Sequence, residues 1–85
     1  MVMENVILYT RIDACPWCDK AKKLLADRNI TYVECVITKD ITREDFIQKF
    51  WPGVAYPKPT VPQLVIGGKH IGGYEDMKNF FEGEK

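Results

Sequence analysis

The sequence predicts an α/β domain of order β-α-β-α-β-β-α, with a mixed four-stranded sheet and helices on both faces. Three observations carry that prediction. The apolar period changes along the chain from dense or alternating runs to helical spacing and back. The first strand, helix and second strand form a β-α-β unit, whose parallel strands require a right-handed crossover. The last two strands meet at Gly67-Gly68, a two-residue turn that makes an antiparallel hairpin. This order by itself is compatible with several folds. A length of 85 residues, 46% of them apolar, leaves room for one core, so residues 1–85 are expected to form a single domain.

Residues 5–10 are a dense apolar run rich in β-formers, including Val6, Ile7, Leu8 and Tyr9, which suits a strand buried on both faces. From Pro16 to Arg28 the period becomes helical. Ala21, Leu24 and Leu25 share a face there, while Lys20, Lys22, Lys23 and Asp27 fall elsewhere. Pro16 fits the first turn because its missing N–H would have no partner there. Asp19 complements the positive end of the dipole, and Asn29 is placed to close the helix. Residues 31–38 alternate, with Val33, Cys35 and Ile37 on one face and Tyr32, Glu34 and Val36 on the other.

Thr42 is a candidate N-cap for a short second helix, with Glu44 and Asp45 in its first turn and Phe46, Ile47 and Phe50 as its apolar stripe. Pro52 stops it. Residues 51–59 hold three prolines together with Trp51 and Tyr56, and are expected to be a loop with exposed aromatics. Strands over residues 63–66 and 69–71 follow. Gly72-Gly73 breaks the chain, and residues 75–81 form a last helix that packs Met77, Phe80 and Phe81.

Charge and hydropathy exclude several functions. Lys plus Arg equal Asp plus Glu at 12 each, so the chain offers no net field for nucleic acid or anionic lipid. No apolar run approaches the roughly 18 residues that would span a bilayer. The first five residues lack the basic and apolar regions of a secretory leader, so a cytoplasmic location is expected. Three cysteines are too few for a disulfide scaffold, and an odd count leaves one unpaired.

The pair at Cys15 and Cys18 therefore needs a chemical explanation. Cys15-Pro16-Trp17-Cys18 follows a strand and opens a helix, where free N–H groups and the helix dipole favour a thiolate over a thiol. Cys15 is the expected nucleophile. Cys18, one turn further on, is placed to attack a mixed disulfide on Cys15 and resolve it. A zinc site would need further ligands, and only Cys35 and His70 remain, far apart and on strands. Cys35 reads as a small apolar strand residue, and His70 as a structural or solvated one, since thiol exchange needs no separate base once the thiolate has formed.

Three motifs in order, Cys15-Pro16-Trp17-Cys18, Thr60-Val61-Pro62-Gln63 and Gly72-Gly73-Tyr74-Glu75-Asp76, make the chain resemble a glutaredoxin along nearly its whole length. His70-Ile71-Gly72-Gly73 and the brevity of the chain are similar to the small dithiol type of bacteriophages and bacteria. The resemblance implies a thioredoxin fold, with glutathione as co-substrate and no tightly bound cofactor. It implies that Pro62 is cis and that the Val61 backbone pairs with the cysteinyl part of glutathione. Gly72 and Gly73 would allow close approach. The N–H groups of Tyr74, Glu75 and Asp76 would hold the γ-glutamyl carboxylate, and the Asp76 side chain its amine. Pro16 and Trp17 flank the thiols. Arg11, Gln48 or Lys49, and Lys58 are the candidates to meet the glycine carboxylate. Two features depart from the family pattern: the run Arg11-Ile12-Asp13-Ala14 is one residue longer than usual, and residues 51–59 make a larger loop.

The expected activity is reduction of protein disulfides or glutathione mixed disulfides by a monomer, with ribonucleotide reductase as a client that the resemblance suggests. Two alternatives stand beside it. One is a thioredoxin-like donor recharged by a flavoprotein reductase, indifferent to glutathione. The other is a glutathione-assisted [2Fe–2S] carrier, which the stiffness of Pro16 disfavours. The loop at residues 51–59 is either an inert surface loop or a partner-docking element.

Overall fold

A computed structural model of the chain describes residues 5–83; of the first five residues, on which the expected absence of a leader rested, 1–4 lie outside them. The elements are β1 (Val6–Arg11), α1 (Pro16–Asp27), β2 (Val33–Ile37), α2 (Arg43–Phe50), β3 (Gln63–Ile66), β4 (Lys69–Gly72) and α3 (Tyr74–Glu82). The sheet order is β2-β1-β3-β4. β1 and β2 run parallel, whereas β1–β3 and β3–β4 are antiparallel. This is the mixed sheet with three helices of the thioredoxin fold. Helices cover both faces of β1, α1 and α3 on one and α2 on the other, which is why its sequence is apolar on both faces rather than alternating.

The two faces of the sheet separate the helices. Val6 and Leu8 of β1, with Leu64 of β3, pack against Ala21 and Leu25 of α1 and Met77 and Phe81 of α3. Tyr9, Ile37 and Val65 point the other way and pack against Phe46 of α2, with Ile7, Cys35 and Phe50 beside them. β2 is an edge strand, so its alternation carries less burial: Val33 remains 66% exposed while Ile37 is buried.

Local chemistry sets the boundaries. α1 ends in a Schellman arrangement, with the N–H of Asn29 donating to Ala26 O and that of Ile30 to Leu25 O. Asn29 takes φ +58, as its predicted closing role requires. That turn consumes the residues before β2, which therefore starts at Val33 rather than residue 31. β1 gains Arg11, which pairs with Ile37. Thr42 caps α2 by accepting from the Asp45 N–H at 3.1 Å.

One expectation about the long loop is corrected. Trp51 is not an exposed loop aromatic: its N–H donates to Ile47 O at 2.7 Å, and its ring packs 5.5 Å from that of Phe46. It ends the apolar stripe of α2 because the helix caps there and turns the ring inward. Tyr56 does lie outside, 91% exposed.

Candidate active site

β1 delivers the chain to Arg11, and residues 12–15 turn it into α1. Arg11 shapes that turn, donating from Nε and Nη2 to Ala14 O at 3.1 and 2.6 Å. The guanidinium thus braces the longer connection immediately before Cys15. Cys15 is the N-cap of α1 and Pro16 its first residue. Sγ of Cys15 accepts from the Cys18 N–H at 3.2 Å, and the two cysteines are joined as a disulfide with their Cα atoms 5.2 Å apart. Cys15 is 8% exposed and Cys18 2%. Trp17, between them, is half exposed, with Lys20 Nζ 4.5 Å from its ring centroid.

Three segments distant in sequence meet next to this turn. Trp17, Thr60, Val61, Pro62, Gly73, Tyr74, Glu75 and Asp76 line one groove of about 260 Å³. The Val61-Pro62 peptide is cis. The Trp17 and Tyr74 rings stand 5.7 Å apart and form one wall. Tyr74 opens α3, whose first-turn N–H groups have no partner within the helix. Asp76 Oδ2 reaches back to accept from the Gly73 N–H at 3.2 Å, which fixes the carboxylate at that end.

Gly72, the last residue of β4, makes this junction possible. Its φ is +126, and a Cβ there would lie 2.7 Å from Asp76 Cγ and 2.8 Å from Asp76 Cβ. Only glycine supplies both the conformation and the space.

A second cavity of about 480 Å³ continues on the other side of Thr60 and Val61, lined also by Arg11, Asp13, Ile37, Arg43, Phe46 and Pro59. Arg11 thus lines this second cavity and not the groove itself. Gln48 is exposed on α2 and is not among the lining residues of either cavity; α2 contributes Arg43 and Phe46 instead. Lys49 lines a separate cavity near the start of β1, with Tyr9, Phe50 and His70, and Lys58 is exposed on the loop. Arg43 was not singled out because a charged residue in the first turn of a helix has no sequence signature of its own. Thr60 was legible only as the neighbour of Val61-Pro62.

Cys35 sits apart, on the α2 face of the sheet. Burial pushes its thiol pKa up, the Asp40 carboxylate adds to the rise, and Lys49 opposes it. It has the surroundings of a structural cysteine. Among the described residues, no group of three or more His, Cys, Asp or Glu side chains is arranged to hold a metal ion. No helix among them is long and apolar enough to cross a membrane.

A cysteine at a helix N-cap, paired one turn on with a second and next to a groove lined by Trp17 and a cis-proline, defines a thiol–disulfide oxidoreductase of the thioredoxin fold. The glutaredoxin family model matches residues 6–71, and the chain belongs to the glutaredoxin family. Glutaredoxin 1 of Rickettsia prowazekii is 37% identical over 81 residues, covering 92% of this chain and 78% of that protein. The hybrid peroxiredoxin hyPrx5 of Haemophilus influenzae is 36% identical over 80 residues, covering 94% of this chain but only 30% of that longer protein. Among solved structures, the glutaredoxin of Brucella melitensis superposes with a TM-score of 0.74 at 32% identity, covering all of this chain and 86% of that one. A buckwheat glutaredoxin–glutathione complex superposes with a TM-score of 0.69 at 27% identity, covering 93% and 70%.

Proposed function

We propose that the protein uses glutathione to reduce protein disulfides and protein–glutathione mixed disulfides. The observation that carries this reading is the groove running from Trp17 past Val61-Pro62 to the N-terminus of α3. A helix N-terminus with an adjacent carboxylate suits an α-amino acid head group, since its N–H groups take the carboxylate and Asp76 takes the amine. The cysteinyl portion then lies along Val61, with its sulfur toward Cys15. The far cavity offers Arg43, with Arg11 beside it, to the glycine carboxylate. The buckwheat neighbour, solved with glutathione, supports the same reading.

In the monothiol route the Cys15 thiolate attacks the glutathione sulfur of a mixed disulfide, forming a Cys15–glutathione disulfide and releasing the client as thiolate. A second glutathione thiolate then attacks that bond, yielding glutathione disulfide and restoring the Cys15 thiolate. In the dithiol route Cys15 attacks a client disulfide, Cys18 displaces the client, and two glutathiones reduce the resulting Cys15–Cys18 disulfide. Ribonucleotide reductase is a client suited to the dithiol route, and the proposed setting is a monomer in the cytoplasm.

The test is turnover of a glutathionylated peptide with glutathione and glutathione reductase. Wild type is expected to turn over, Cys15→Ser to lose turnover entirely, and Cys18→Ser to retain part of it. Reduction that proceeds with thioredoxin reductase and not with glutathione would overturn the reading in favour of a thioredoxin-like donor.

A further inference from the structure

We infer that Gln63 and His70, outside the thiol pair and the groove lining, are positioning residues that hold the Thr60–Val61 wall in its binding shape. This rests on the proposal that a glutathionyl group occupies the groove. Residues 54–61 form no helix or strand, so the wall is not shaped by a backbone ladder. Its anchor is Gln63, only 5% exposed, whose Nε2 donates to Thr60 O at 3.1 Å and to Thr60 Oγ1 at 3.0 Å. Thr60 and Val61 are the two residues common to both cavities.

The chemistry of these contacts fixes every role. A backbone carbonyl only accepts, so the Gln63 atom facing Thr60 O is its amide nitrogen, and Oε1 faces the other way. There it meets His70 Nε2 at 2.7 Å. Since Oε1 is an acceptor, His70 Nε2 must carry the proton and donate. The His70 ring in turn packs 4.5 Å from the ring of Phe50, which stands 5.1 Å from Tyr9 and 5.2 Å from Phe46. A continuous chain of contacts thus runs from the aromatic core under α2 to the groove wall.

An irregularity in the sheet builds this chain. Leu64 pairs with Gly72 but Val65 pairs with His70, so Ile71 is an extra residue in β4. Without that bulge Ile71 would stand opposite Val65. The bulge places His70 on the α2 face instead, diagonal to Gln63, while Ile71 packs into the opposite core.

Two variants separate positioning from mere packing. His70→Phe keeps a ring against Phe50 and removes the donor; Gln63→Glu keeps an acceptor for His70 and cannot donate to Thr60. Steady-state turnover of a glutathionylated peptide is measured with each, alongside the rate of Cys15 alkylation by iodoacetamide and the amide NMR shifts of Thr60 and Val61. His70→Phe is expected to raise KM about threefold to tenfold, the scale of one lost neutral hydrogen bond, and Gln63→Glu, which loses two, by at least as much. The kcat and alkylation rate should stay within about twofold, the Thr60 and Val61 amides should shift, and the double variant should be no worse than Gln63→Glu alone. KM within about twofold of wild type in both variants, or unmoved Thr60 and Val61 amides, would overturn the inference. Failure of the glutathione reading shows itself separately, as a wild type that does not turn over with glutathione, and the amide shifts then still decide whether the wall is held.

Discussion

The backbone N–H of Cys18 donates to Sγ of Cys15 at 3.2 Å, so one cysteine's amide caps the other's sulfur within a single helical turn. The interaction survives reduction of the disulfide if the turn keeps its shape, and it then favours negative charge on Cys15. Cys35 has the opposite surroundings, with burial and Asp40 holding its proton on. In the reduced protein at neutral pH, one equivalent of iodoacetamide should therefore label Cys15 at least about tenfold faster than Cys35 or Cys18, as read by peptide mass spectrometry. Labelling of Cys35 first would contradict this assignment.

Gly72→Ala should damage both stability and binding. The added methyl meets the Asp76 side chain, and alanine is strained at φ +126. A loss of about 2–3 kcal/mol in urea unfolding is expected. KM for a glutathionylated peptide should rise in the fraction that remains folded, because relief of the clash displaces the carboxylate at the head of α3. An unchanged unfolding midpoint would show that the β4–α3 junction relaxes freely.

Thr10 is fully buried and donates from Oγ1 to Glu34 Oε2 at 2.6 Å, and Lys22 Nζ reaches the same oxygen at 2.9 Å. The Thr10 hydrogen bond first, and then Lys22, hold the Glu34 carboxyl below its ordinary value near 4.5. A proton therefore binds the native state more weakly than the unfolded one. The contribution is present above pH 4.5 and is lost as pH falls through the lowered native value. Lys22 is raised chiefly by the Glu34 hydrogen bond, so its share is present below its ordinary value of 10.5 and is lost as pH rises through the raised native value. Both side chains are about one-third exposed, which screens the ion pair to a few tenths of a kcal/mol. Glu34→Gln should thus cost little, since its carbonyl still accepts from Thr10. Glu34→Ala, which strands a buried hydroxyl, should cost about 1–2 kcal/mol at pH 7. Equal losses in the two variants would show that the charge, not the acceptor, matters.

Thr38, just past β2, has φ +76, a conformation that is costly for a β-branched residue. Its N–H donates to Ile41 O at 2.7 Å, so the turn holds it there. Thr38→Gly relieves strain of about 1–3 kcal/mol against a conformational-entropy cost of roughly 0.5–1 kcal/mol. A rise in Tm of a few degrees is expected in calorimetry, with turnover unchanged; a fall would mean that the threonine side chain contributes more than its strain costs.

The thiol pair, its place at a helix start, the glycine junction and the order of elements along the chain were legible in the sequence, because each depends on local rules. Proline at the first helical position, apolar period and turn residues act within a few positions, and all agree here. Asn29 was likewise legible as the close of α1, which it makes through a Schellman turn at φ +58. Trp51 was misread as exposed because its burial depends on where α2 caps relative to the core, which spacing does not encode.

Local sequence rules were thus enough for the two cysteines, for the helix that starts between them and for the order of strands and helices along the chain. What surrounds the cysteines follows from contacts between distant segments. Arg43 rather than Gln48 lines the far cavity, because that depends on which side of a short helix faces a loop with no repeating pattern. The link from His70 through Gln63 to Thr60 exists because one extra residue in β4 turns a histidine toward the α2 face. Pairing register and side-chain direction are settled by contacts between segments far apart in the chain, and no local preference specifies them.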